Sequence, residues 1–123
     1  MKLILPLPPN RANAREHWRV TQKNKERYYE AAEVAIMTQC RSNVPPVRWT
    51  LTATLYVWAK MDLDNLVARL KFPLDCLVRT GVLVDDNEKW LDLQMPKQVV
   101  DRKNPRVEIE LTPCDGPRLA QPV

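Results

Sequence analysis

The sequence predicts an α+β fold, a two-layer sandwich with two helices on one face of a mixed or antiparallel sheet, in the order β-α-β-α-β-β. Three stretches carry that expectation. Residues 48–60, RWTLTATLYVWAK, alternate, with Leu51, Ala53, Leu55, Val57 and Ala59 on one side and Thr52, Thr54, Tyr56 and Trp58 on the other. Residues 64–81 instead place Leu66, Val67, Leu70, Leu74, Leu77 and Val78 at helical spacing and stop at Gly81. Residues 106–112, RVEIELT, return to a period of two, with Val107, Ile109 and Leu111 inward and charges outward, the pattern of a half-exposed antiparallel strand.

From the start of the chain, KLILPL (residues 2–7) reads as a short first strand that Pro8 and Pro9 end, since neither can donate to a ladder. From about Thr21 to Arg41 the pattern is helical, with Tyr28, Ala31, Ala35, Met37 and Thr38 marking one side, and Asn43–Pro46 breaks it. The strand at 48–60 is expected to be central, with both faces covered. In the second helix Asp64 is expected as the N-cap, its carboxylate accepting free N–H groups of the first turn. Gly81 ends that helix because glycine takes the left-handed turn cheaply. Lys89–Val100 reads as a further strand interrupted by Pro96, hence an edge or bulged one. One domain over residues 1–112 results, followed by a loose tail at 113–123, where Pro113, Gly116, Pro117 and Pro122 leave no packing pattern.

Composition narrows the classes of function. A chain of 123 residues, 45% hydrophobic with two glycines, can bury a core and is too apolar for disorder. No apolar run reaches bilayer length and the start lacks a signal-peptide pattern, so no membrane association and a cytoplasmic location are expected. Cys40, Cys76 and Cys114 are odd in number and widely spaced, which points to neither a disulfide framework nor a zinc site. A net charge of +4 favours a polyanionic partner. The charge is concentrated between Asn10 and Arg27, where Arg11, Arg15, Arg19, Lys23, Lys25 and Arg27 face Glu16 and Glu26, with His17 and Trp18 among them. That stretch reads as a phosphate-backbone clamp with a stacking surface, or as a solvated face with Trp18 anchored in the core. Without a second histidine, His17 reads as a local or phosphate contact and not as a metal ligand.

Two acidic pairs flank the second helix: Asp62 and Asp64 before it, Asp85 and Asp86 after it. Each aspartate alone has an ordinary reading as a cap or turn residue. Together they form a carboxylate set suited to a hard divalent cation such as Mg²⁺, which takes oxygen ligands and can polarise a phosphate. A helix that doubles back could join the pairs if its flanking strands are neighbours in one sheet.

The run D-L-D-N-L (62–66), a helix carrying Lys71 and Asp75, and G-V-L-V-D-D (81–86), preceded by L-P-L-P-P-N (5–10), resembles the RusA family of Holliday junction resolvases. These are small endonucleases carried by phages and prophages. The resemblance covers roughly the first hundred residues. It implies that Asp62, Asp64 and Asp86 fall on metal-binding catalytic aspartates and Asp85 on the acid beside the third. It further implies Mg²⁺ as cofactor with no small-molecule cofactor, four-way branched DNA as substrate, a role in DNA recombination and repair, and a bacterial cytoplasm as the setting. Paired symmetric nicks imply a C2 homodimer. The family's type member has a lysine one helical turn after the second aspartate, where this chain has Ala68. Lys71, seven residues after Asp64, returns to nearly the same helix face and is expected to replace it. Asn10, Arg11, Arg15, His17, Arg19 and Lys23 would hold the junction arms. Two other readings stay open: a non-catalytic basic nucleic-acid-binding protein with structural aspartates, and a nuclease for other branched DNA.

Overall fold

The computed structural model of the chain describes residues 1–8, 18–40 and 44–114, with the backbone alone for 18–21. Within them run β1 (Lys2–Leu5), α1 (Trp18–Gln39), β2 (Trp49–Val57), α2 (Leu63–Arg79), β3 (Leu91–Leu93), β4 (Lys97–Val100) and β5 (Arg106–Pro113). Two helices and a five-stranded mixed sheet make the expected α+β fold, with one strand more than the sequence suggested. The extra strand comes from Pro96, which divides the stretch read as one strand into β3 and β4. Both halves pair in parallel with β2: Leu91, Asp92 and Leu93 beside Trp49, Thr50 and Leu51, and Lys97 to Val100 beside Thr54 to Val57. Gln94, Met95 and Pro96 thus stand against Thr52 and Ala53, a bulge that takes up the imino acid where it need not donate.

On its other side β2 pairs antiparallel with β5, which pairs antiparallel with β1. β2 is therefore central, as its length and apolar content implied. Its two faces differ, however. Leu51, Ala53, Leu55 and Val57 are fully buried, whereas Thr52, Thr54 and Tyr56 are half-buried and Trp58 is exposed. The helices cover one face of the sheet and leave the other open, which corrects the expectation that both were covered.

The core lies between that covered face and the helices. The sheet contributes Leu3, Leu5, Val107, Ile109 and Leu111 beside the β2 residues. From α1 come Tyr28, Ala32 and Ile36, spaced by four, while Ala31, Met37 and Thr38 face outward. The helix stripe is thus rotated from the one expected, because Ala32 and Ile36, not Ala31 and Met37, complete the face begun by Tyr28. From α2 come Leu66, Leu70, Leu74 and Leu77 as expected, with Phe72 and Cys76 filling in beside them, while Val67 is exposed. Phe72 meets the Tyr28 ring edge-on at 6.0 Å between centroids, joining the two helices. Among the described residues no helix is long and apolar enough to cross a membrane.

Both ends of α2 are specified locally. Asp62, not Asp64, occupies the N-cap: its backbone carbonyl accepts the first helical bond from Leu66 N–H, and its side chain caps nothing. Asp64 falls in the first turn, where a negative charge complements the helix dipole. At the far end Gly81 takes φ +85°. Its N–H donates to the Val78 carbonyl and that of Val82 to the Leu77 carbonyl, the paired bonds of a Schellman ending. β5 runs through Pro113, and Cys114 N–H still donates to the Arg48 carbonyl, so order extends past the expected boundary at 112. Residues 115–123 of the expected tail lie outside the described residues.

Candidate active site

The loop between β2 and α2 is held at one point by a side chain. Gln98 of β4 receives the Met61 N–H on Oε1 at 3.0 Å and donates from Nε2 to the Met61 carbonyl at 2.8 Å. This two-bond clamp continues the sheet by one pseudo-strand residue and fixes the backbone next to Asp62. A second anchor lies deeper in α2. Arg69 is buried and donates from Nε and Nη2 to the Pro8 carbonyl at 3.0 and 2.7 Å, tying the exit of β1 to the helix. Burial pushes its pKa down from the ordinary arginine value. Arg69, two residues before Lys71, is therefore spent on structure.

With the loop fixed, Asp62 and Asp64 stand two residues apart at the start of α2, both exposed. No described donor occupies either carboxylate. Two free, hard oxygen donors at one helix start suit Mg²⁺, which usually takes one or two carboxylates and completes its shell with water or phosphate oxygens. Lys71 is exposed seven residues on, about 10 Å along the axis at 1.5 Å per residue. Long helical side chains generally lean toward the helix N-terminus, the direction that would bring the Lys71 ammonium closer to that end.

Asp85 and Asp86 stand elsewhere. Asp85 is engaged in its own turn: Oδ1 accepts Asp86 N–H at 2.7 Å and Oδ2 accepts Asn87 Nδ2 at 3.1 Å. Asn87 Oδ1 in turn accepts Lys89 N–H, and its carbonyl accepts Trp90 and Leu91 as the chain enters β3. The ordinary turn reading thus describes Asp85 and Asn87 well. With Asp86, Asp85 lines a hollow of about 260 Å³ shared with Tyr29, Asp75, Val78 and Arg79. There Tyr29 O–H donates to Asp75 at 2.9 Å, and burial together with that carboxylate raises the phenol to about 12. Arg79 lies 4.7 Å from the centre of the Tyr29 ring and pairs with Glu33 at 3.5 Å.

The hollow belongs to the C-terminal half of α2. Asp75 is eleven residues past Asp64, about 16 Å along the axis. The strands flanking α2 are neighbours, as the joining of the acidic pairs required, but they are parallel. A parallel crossover carries the helix from one end of the sheet to the other, so its two ends are held apart. Among the described residues no three His, Cys, Asp or Glu side chains converge into one group that could hold a metal ion. Within one chain the four aspartates are two separate pairs.

Of the basic residues assigned to DNA, Lys23 is exposed on α1. Asn10, Arg11, Arg15, His17 and the Arg19 side chain lie outside the described residues. Gln98 had gone unnoticed in the sequence. Its signal was a polar residue at a core-facing register position beside Leu55, but the register of a parallel partner is not written in the strand itself. No protein-family model matches the chain, and no curated protein matches it.

Proposed function

We propose that the protein is a Mg²⁺-dependent endodeoxyribonuclease acting on branched DNA, with four-way junctions as the substrate suggested by its likeness to the RusA family. The observation that carries this reading is that Asp62, at the N-cap of α2, and Asp64, in its first turn, are both exposed and engaged by no described donor. When bound there, Mg²⁺ would supply positive charge against a phosphodiester and acidify an attacking water. Asp62 and Asp64 would hold the ion, and the Gln98 clamp would keep the first of them in place. Lys71 would set its ammonium toward the same end of the helix, facing charge that builds on the phosphate oxygens. Asp86, with Asp85 beside it, would join Asp62 and Asp64 only from a second copy of the chain, because α2 separates the pairs within one. The basic N-terminal segment would hold the DNA arms through phosphate contacts.

The separation of the acidic pairs favours a second reading, a nucleic-acid-binding protein without catalysis whose aspartates serve caps and turns. A labelled four-way junction and a matched duplex, each with Mg²⁺ and with chelator, decide between the two. The nuclease reading expects Mg²⁺-dependent nicks in the junction that Asp62→Asn and Asp64→Asn each abolish while binding in chelator persists. Junction binding with no nicking at any Mg²⁺ concentration leaves the binding protein. Nicking that survives in both variants removes the metal role of the pair.

A further inference from the structure

The open face of the sheet ends in an aromatic pair that the nuclease reading does not use. Tyr56 and Trp58 leave β2 on that face, and each has an arginine over its ring. The Arg106 guanidinium lies 3.7 Å from the Tyr56 ring centre, and that of Arg102 lies 5.6 Å from the Trp58 ring centre. Their surroundings differ. Arg106 is neutralised, bonding Glu108 at 2.7 Å and Asp101 at 3.1 Å. Arg102 is held only by the Trp58 carbonyl, at 3.3 Å from Nε, and pairs with no carboxylate among the described residues. Trp58 itself is 62% exposed, an unusual position for an indole.

The charges around Trp58 are also unmatched. Lys60 lies two residues on, Lys103 follows Arg102, and Lys97 sits opposite Thr54 lower on the same face. None of these lysines makes an ion pair among the described residues. The neighbouring acid, Asp101, is already committed to Arg106 and to the N–H groups of Lys103 and Asn104. An exposed aromatic ring stiffened by an arginine and bordered by free cations is what single strands are bound by, with a base stacked on the ring and phosphates on the charges.

We infer that Trp58 and Arg102 form a stacking platform for an unpaired base of DNA, with Lys60, Lys97 and Lys103 along the path of its backbone. Three residues, at most about 14 Å of chain from Trp58 to Asp62, connect the platform to the acidic pair. A fork, a flap or a junction whose pairs open at the crossover exposes an unpaired base and a continuous duplex does not, so the platform favours opened branched DNA over linear duplex. The inference rests on the nucleic-acid reading above but not on its metal chemistry.

The test is equilibrium binding in chelator, where nothing is cut, of a fluorescent oligothymidine strand and of a matched duplex. Trp58→Ala should weaken strand binding about tenfold, within the range found for loss of one base–aromatic stack, and change duplex binding less than about twofold. Trp58→Phe should recover most of the strand affinity. Arg102→Gln should lower the slope of log affinity against log salt by about one. Both positions are exposed, so the variants should fold, and their unfolding midpoints confirm it. Strand binding unchanged in Trp58→Ala, equal loss on strand and duplex, or a change of oligomeric state in its place would overturn the platform. Failure of the nuclease reading shows separately, as absent nicking by a protein whose strand binding still depends on Trp58.

Discussion

Replacing Gln98 by leucine removes both bonds of the clamp on Met61 without leaving a large void. Those bonds, 3.0 Å from Met61 N and 2.8 Å to Met61 O, are each worth about 0.5–1.5 kcal/mol net, so the upper bound is about 3 kcal/mol. Met61 is half-buried, and water can reach its freed amide, which lowers the expectation to about 1–2 kcal/mol. Gln98→Glu should fall between wild type and Gln98→Leu, since a carboxylate still accepts from Met61 N–H but offers no donor to the carbonyl. Amide exchange followed by NMR reads the effect at the residue itself. Met61 N–H should lose protection in Gln98→Leu, while Asp101 N–H, bonded to the Val57 carbonyl at 2.9 Å, keeps its own. Urea unfolding supplies the global figure. If Met61 exchanges as slowly in Gln98→Leu as in wild type, the clamp does not hold the loop and Gln98 has no positioning role. In the nuclease reading the same variant should raise the Mg²⁺ concentration for half-maximal nicking, because Asp62 follows Met61 directly.

Three further outcomes follow from the geometry. Gly81→Ala meets no atom within 4 Å, so its cost is that of φ +85° alone, about 1–2 kcal/mol, read as a lower unfolding midpoint with unchanged denaturant slope. Bonds from Arg106 hold Asp101 and Glu108 below their ordinary values of 3.8 and 4.5, a stabilisation present above those values and lost as pH falls through and below them. Arg106→Gln should therefore flatten the acid limb of a stability–pH curve, and an unaltered limb would refute the coupling. Lys71→Ala should slow junction nicking about a hundredfold with little change in affinity, whereas a rate within a few-fold of wild type makes it a solvated helix lysine.

Much of the framework was legible because it is written in local periodicity. The alternation of β2 and β5 and the leucines of α2 named core residues that are buried, and Gly81 marked a helix end that its positive φ confirms. What escaped was relational. A single proline hid two strands in one stretch, since a bulge depends on the partner as much as on the bulged segment. Charge and spacing showed two acidic pairs, but whether they meet depends on the direction of β3 relative to β2, and neither strand encodes that direction alone. Nothing local to α2 marks Arg69 as a structural residue. Only the approach of Pro8 from sixty-one residues away makes it a buried anchor.

The placement of β5 also bears on the order in which the molecule can be assembled. It lies between β1 and β2 and bonds to both, yet it comes last in chain order among the described strands. The ammonium of Met1 donates to the Leu111 carbonyl and Leu111 N–H donates back to Met1, a closure across 110 residues of sequence. While the chain emerges from the ribosome, β2, α2 and the β3–β4 edge can gather as one parallel unit. β1 then has no strand beside it. Until Arg106–Pro113 is in place the first strand has no partner among the described strands, so the sheet closes from its middle outward.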